Sequence, residues 1–271
     1  MREFLVIREA KKALHIVRKN LKLFLTMVIL DFVMLFFLGF FGSEIVNRII
    51  NEMIILFDMM AKIGMGMDFL FNPGQFTEVG QVVFFQHRTR LFMYFFVLVC
   101  AVYLLYSLFQ GINWYLTKQI ENEKLGFWRY LGRFFAINLL WFSSMTIVFA
   151  VTVRLSYLKA FVITPKLIQI IVIVFAFLFA LVITYLAPIS YSILMHNGFV
   201  RKAFVLPFRD INVFFPMYLL LVFLFLIADF ILLLTSMAHP VMWLIAGLVF
   251  FLPLFSFSRI YINLVANKII R

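Results

Sequence analysis

Six stretches of this chain, 21–41, 91–112, 134–153, 167–195, 213–236 and 241–257, are long and almost free of charge. About 20 apolar residues carry a helix across the hydrocarbon core of a bilayer. Backbone in lipid must find its hydrogen bonds within its own segment, so isolated apolar runs of this length are read as helices. Hydrophobic residues make up 65% of the 271 and charged residues 13%, too few charges to coat a soluble domain of this size. The charges also cluster between the apolar runs. The fold class expected is all-α: a polytopic membrane protein with six transmembrane helices in a single membrane domain, 1–271.

The fourth stretch is long enough to tilt, and Pro188 marks a kink in it. The fifth and sixth are joined by a short turn around Ala238-His239-Pro240, which predicts a tight antiparallel hairpin. A seventh segment, 45–63, is rich in Ile and Met but carries Arg48, Glu52, Asp58 and Lys62. At about 2.5–3.5 kcal/mol per central charge, these outweigh its apolar gains. Its polar positions recur at helical spacing, with Glu44/Arg48 and Asp58/Lys62 as i,i+4 pairs. The expectation is an interfacial or re-entrant helix over 44–63 in the first outer loop, followed by a turn at Phe71-Asn72-Pro73-Gly74.

With the N-terminus inside, the inner segments hold 17 of the 24 Lys and Arg residues, and five acidic residues fall in the first outer loop. That asymmetry predicts a cytoplasmic-membrane protein with both termini in the cytoplasm. The first apolar run is too long for a signal-peptide core and no Ala-x-Ala site follows, so it reads as a retained span. Neither end carries a lipidation signal. The single cysteine, Cys100, lies in an apolar run and reads as filler.

Gly-Phe-x-Arg occurs twice, as Gly126-Phe127-Trp128-Arg129 and Gly198-Phe199-Val200-Arg201. Each copy opens a basic amphipathic stretch that leads into an apolar run, and a divergent third copy surrounds Ile7-Arg8. In the first segment Ile7, Leu14, Val17 and Leu21 oppose Arg8, Lys12, His15, Lys19 and Lys22. In the second, Phe127, Trp128, Leu131 and Phe134 oppose Arg129 and Arg133. In the third, Phe199, Ala203 and Phe204 oppose Arg201 and Lys202, with Pro207 expected to break the helix. Asn20, Asn138 and Asn212 stand at the thresholds of the spans. Ser190-Tyr191-Ser192 and Ser256-Phe257-Ser258 end spans four and six, each after a proline.

The pattern predicts three diverged two-span repeats, about 1–120, 121–197 and 198–271, each entered through a basic amphipathic interfacial helix. Arg8, Lys12, Arg129, Arg133, Arg201 and Lys202 are the candidate contacts to anionic lipid headgroups or anions, at about 1 kcal/mol per charge. They either anchor the bundle in the bilayer or also ring a cytoplasmic vestibule that collects anions.

Two carboxylates lie within the expected spans, Asp31 in the first and Asp229 in the fifth. Intramembrane carboxylates face partners or water and mark ion paths. The plainer reading has Asp31 capping a network with Ser or Asn of another span and Asp229 reaching the outer interface. No intramembrane Lys or Arg stands out as a partner for either. His15, His87, His196 and His239 are scattered without metal-ligand spacing, so no metal and no cofactor is expected. No HExxH, Gly-x-Ser-x-Gly or P-loop occurs, and Gly64-Met65-Gly66 lacks the third glycine of a nucleotide loop. The basic residues are spread along membrane edges, which does not suit a nucleic-acid surface.

The repeated Gly-Phe-x-Arg segments before paired spans resemble six-span prokaryotic membrane families related to the membrane domain of glycerophosphodiester phosphodiesterases. The resemblance implies an uncharacterised membrane module; in that family the phosphodiester chemistry resides in a separate soluble domain. The function expected is non-enzymatic: transport or recognition of a solute or lipid. An accessory or scaffold subunit, bound to another membrane protein or to itself, is the first alternative, and a lipid-modifying enzyme the second.

Overall fold

The computed structural model describes residues 3–62, 78–120, 126–156, 165–196 and 198–270. Among them the chain is helical almost throughout, with no strand. In order, the elements are α1 (Glu3–Lys19), α2 (Leu21–Lys62), α3 (Glu78–Ile120), α4 (Phe127–Ser156), α5 (Pro165–Ser192), α6 (Phe199–Arg209), α7 (Ile211–Ala238), α8 (Pro240–Ala246), a π-helical turn (Gly247–Phe251) and α9 (Leu252–Ile270). Among the described residues, six helical segments are long and apolar enough to cross a membrane: Leu21–Met59, Val82–Ile120, Phe127–Thr152, Ile170–Ser192, Ile211–Ala238 and Pro240–Ile270. The chain is an all-α, multi-pass membrane protein, as its apolar runs require.

One expectation needs correction. The expected helix over 44–63 is not separate from the first span: as far as Lys62 it prolongs α2 without a break, giving a helix of 42 residues, and residue 63 lies outside the described residues. No Gly or Pro follows Gly42 within α2, so nothing stops the helix. Its polar groups also have partners, Arg48 paired with Glu44 at 3.0 Å and Glu52 within hydrogen-bond distance of the His87 ring at 2.6 Å. At 1.5 Å per residue α2 is about 63 Å long, roughly twice the hydrocarbon thickness. The Lys62 side chain, Gly64-Met65-Gly66 and the turn at 71–74 lie outside the described residues.

The amphipathic segments end differently from one another. Asn20 separates α1 from α2, and its amide donates to the Ile16 carbonyl at 3.2 Å. Gly198 opens α6 at φ 67, a left-handed conformation that glycine adopts without strain. Pro207 does not break α6 as expected; the chain turns three residues later, at Asp210. Proline costs a helix the hydrogen bond of its own missing N–H, and a bond lost near a helix end is tolerated. The second segment has no break at all, so Asn138 lies inside α4. The hairpin is present: α7 ends at Ala238, His239 is extended, and its ring accepts from the Val241 N–H to cap α8.

The chain divides into two compact units. The first comprises Met1–Leu35, Tyr106–Trp141 and Leu181–Arg271. At its centre is the second half of α9, where most side chains from Ser256 to Asn267 are buried. Helices α1 and α7 pack against α9. Val6, Glu9 and Ala13 form the buried face of α1, and the Tyr261 hydroxyl donates to the Val6 carbonyl at 3.2 Å. The second unit comprises Phe36–Leu105 and Phe142–Ala180. Leu56 and Phe84 are buried within it, Phe95 stacks on Phe149, and the Arg48 guanidinium lies 5.9 Å from the Tyr94 ring.

Helices α3 and α4 approach closely at Gly111. A Cβ there would come within 2.6 Å of Leu131 Cδ1 and 3.2 Å of Phe134 Cδ1. In an open helix Gly→Ala stabilises by about 1 kcal/mol. Here Gly111→Ala is expected to destabilise by about 1–3 kcal/mol through overpacking. Leu131→Ala in the same chain should recover part of that loss. Thermal unfolding in detergent checks both, and a stabilised single variant would contradict the contact.

Candidate functional site

Asp31 is the buried carboxylate that the sequence singles out, and the helices of the first unit surround it with donors. Along α9, Ser256, Arg259, Asn263 and Asn267 follow one another at steps of three or four and share a face. On α3, Gln110, Asn113 and Thr117 do the same. Asp31 on α2 meets both faces.

Asp31 is 1% and Arg259 2% exposed. The guanidinium grips the carboxylate with two nitrogens, Nη2 to Oδ1 at 2.6 Å and Nη1 to Oδ2 at 2.9 Å. Gln110 Nε2 and Asn113 Nδ2 donate to Oδ1 at 3.0 and 2.8 Å, and Ser256 Oγ donates to Oδ2 at 3.1 Å. Gln110 also accepts from Arg259, from Nε at 3.1 Å and Nη2 at 2.8 Å. Its amide orientation is thereby fixed, because a flip would set donor against donor. The guanidinium carbon lies 4.7 Å from the Phe255 ring centroid, where the ring face attracts the cation.

Burying each ion costs several kcal/mol, offset only when geometry and supporting bonds are good. Both conditions are met: the carboxylate accepts five donated bonds, two of them from the guanidinium.

This overturns the expectation that no intramembrane cation pairs with Asp31. Arg259 lies two residues past the sixth apolar run and counts in the sequence as part of a cytoplasmic tail. Yet α9 continues to Ile270 and carries Arg259 into the bundle. The plainer expectation, a network with Ser or Asn of another span, is met by Ser256 and Asn113. The readable signal was the Ser256–Arg259–Asn263–Asn267 spacing.

Farther along, Lys118 is fully buried with its Nζ 3.5 Å from Asn267 Oδ1. Gln110 and Lys118 meet Arg259 and Asn267 in the same sequence direction, so α3 and α9 run parallel here. The result is a continuous polar seam between two apolar helices.

A second network runs through Tyr191. Tyr191 donates to Asn138 Oδ1 at 2.8 Å, and Asn138 Nδ2 donates to Ser107 at 2.6 Å. Trp141 Nε1 donates to Ser190 at 2.9 Å. Asn138 is therefore an interhelical tie, not a threshold residue.

The remaining candidates do not converge on Asp31. Asp229 is exposed on α7, so the likeness of its flanks to those of Asp31 does not carry into the structure. Arg129 and Arg201 are exposed and Lys202 partly so. Arg8 and Lys12 are exposed and flank the buried Glu9 at 3.4 and 3.7 Å. The stripe Ile7, Leu14 and Leu21 is also exposed, with Ile7 at 57%, because α1 packs through its other face.

Arg133 departs from the surface role expected of it. It donates to the Leu194 carbonyl at 2.7 Å and lies 5.3 Å from the Phe199 ring centroid. Leu194 lies in the turn that follows α5, so Arg133 ties that turn to α4.

No protein-family model matches the chain, and no curated protein or solved structure matches it. The resemblance in layout described above rests on the layout alone.

Arg259→Met is expected to cost about 3–5 kcal/mol by leaving Asp31 buried and uncompensated. Adding Asp31→Leu should restore most of that stability, since the unpaired charge goes with it. Thermal unfolding of both single variants and the double measures the coupling. Additive losses would mean that the two groups do not pair.

Proposed function

We propose that this chain is a non-enzymatic protein of the cytoplasmic membrane that recognises or moves a small solute or lipid, with the polar seam of the first unit as its site. The observation that carries the reading is the Asp31–Arg259–Gln110 cluster and its continuation to Lys118 and Asn267. Buried ion pairs are often replaceable by apolar side chains with no loss of stability, so stability alone does not call for one. Ionisable groups kept inside a membrane bundle are functional candidates by default. Asp31 is saturated by its donors and has no lone role as a proton carrier. Its part in this reading is to hold Arg259, Gln110 and Asn113 in place.

The Lys and Arg asymmetry supports cytoplasmic termini. With that orientation, α1 lies at the headgroup level with Ile7, Leu14 and Leu21 toward the acyl chains and Arg8 and Lys12 toward anionic headgroups. Arg129, Arg201 and Lys202 make further headgroup contacts, at about 1 kcal/mol each.

A second reading, an accessory subunit bound to another membrane protein or to a second copy, draws on the aromatic face of α2. Phe36 stacks on Phe40 and Phe37 on Phe41, with Phe36, Phe40 and Phe41 exposed.

Native mass spectrometry of protein released from lipid nanodiscs tests the first reading. A defined solute or lipid adduct is expected on the wild type and lost from folded Asn267→Leu or Gln110→Met. Adducts identical in all three proteins would overturn it, and a stoichiometric partner protein or dimer without an adduct would establish the second reading instead.

A further inference from the structure

Two rungs join α3 to α9: Gln110 to Arg259, and Lys118 to Asn267. Eight residues separate them on either helix, about 12 Å. Between the rungs lie three buried polar atoms with no hydrogen-bond partner: Asn113 Oδ1, Asn263 Oδ1 and Asn263 Nδ2. Both side chains are fully buried. Asn113 falls about 4.5 Å and Asn263 about 6 Å past the first rung, so the two amides occupy nearly one level of the seam. A buried amide atom left unpaired costs about 1–3 kcal/mol, and native proteins rarely leave three together.

We propose that this level of the seam binds a small neutral hydroxyl group, which donates to an asparagine carbonyl oxygen and accepts from Asn263 Nδ2. The chemistry of the three atoms selects the class. Asn113 Nδ2 is engaged by Asp31, so Asn113 presents its carbonyl oxygen. A carboxylate or phosphate has no proton for two carbonyl oxygens. An ammonium ion would approach the Arg259 guanidinium with the nearby carboxylate already occupied. A hydroxyl donates its one proton to one carbonyl oxygen and accepts from Asn263 Nδ2, and a water molecule, with two protons, reaches both carbonyl oxygens as well. The group comes either from a polyol-like solute or lipid headgroup, or from a resident water. The solute source rests on the recognition reading above; the water source does not.

Thermal unfolding of wild type and Asn263→Leu in nanodiscs, with and without millimolar myo-inositol or glycerol, separates the outcomes. If the site is filled, Asn263→Leu loses those bonds and its midpoint falls by about 2–6 °C. A midpoint that rises shows that the amide was truly unpaired and overturns the proposal. Polyol stabilisation of the wild type that is absent in the variant identifies a solute hydroxyl, whereas a lower midpoint with equal polyol response identifies water. Should the variant not fold, magnetisation transfer from hydroxyl or water protons to the Asn263 side-chain nitrogen of the wild type replaces it; no transfer overturns the proposal. A raised midpoint with the adduct of the preceding section retained sinks this inference alone. A lowered midpoint with no adduct sinks the recognition reading and leaves the water.

Discussion

A carboxylate enclosed by apolar helices has to be matched by positive charge and hydrogen-bond donors, and in this protein the match comes from α9. Asp31 alone would cost several kcal/mol to bury. Arg259 supplies the charge, while Gln110, Asn113 and Ser256 supply the remaining donors. Those five residues lie on three helices far apart in sequence. Meeting the needs of one carboxylate therefore fixes α2, α3 and α9 in depth and rotation together. The buried second half of α9 follows, since a helix carrying Arg259, Asn263 and Asn267 on one face belongs in the interior.

Helices already in lipid gain little from burying more apolar surface, so their association depends on close packing and interhelical hydrogen bonds. The first unit uses both. Gly111 lets α4 come near α3, and Asn138, Tyr191, Trp141 and Ser190 tie α3, α4 and α5 together. Arg133 adds a charged hydrogen bond from α4 to the turn after α5. The second unit relies more on ring contacts and on the Glu52–His87 pair.

Much of this fold was legible in the sequence because apolar length alone defines a span. The errors came from how charge was read. Charge sets 44–63 apart from the first span because unpaired charges in lipid are costly, whereas Arg48 and Glu52 have partners within reach. Hydropathy places Arg259 in a tail because the apolar run stops at 257, but the helix continues to Ile270. In the site, Asp31 and its Ser and Asn donors were foreseen, while Gln110, Lys118 and Arg259 were not. Their partners lie 79 to 228 residues away along the chain in the case of Asp31, beyond any local spacing rule. The amphipathic nature of α1 was readable, but its packing face was not. Small and short side chains at Ala13 and Val6 admit the neighbouring helix, and the larger Ile7 and Leu14 are left outside.

The pairing of Asp31 with Arg259 in a bilayer is the claim on which the rest depends, and solid-state NMR reaches it directly. Arginine labelled with ¹⁵N at its terminal guanidinium nitrogens and aspartate labelled with ¹³C at Cγ report their separation by dipolar dephasing. An Arg209→Lys background removes the neighbouring Arg209–Asp210 contact. Strong dephasing for a distance of about 3.5–4 Å, abolished by Asp31→Asn, is the result this account predicts. Dephasing that corresponds to more than about 6 Å, or that persists in Asp31→Asn, would contradict it.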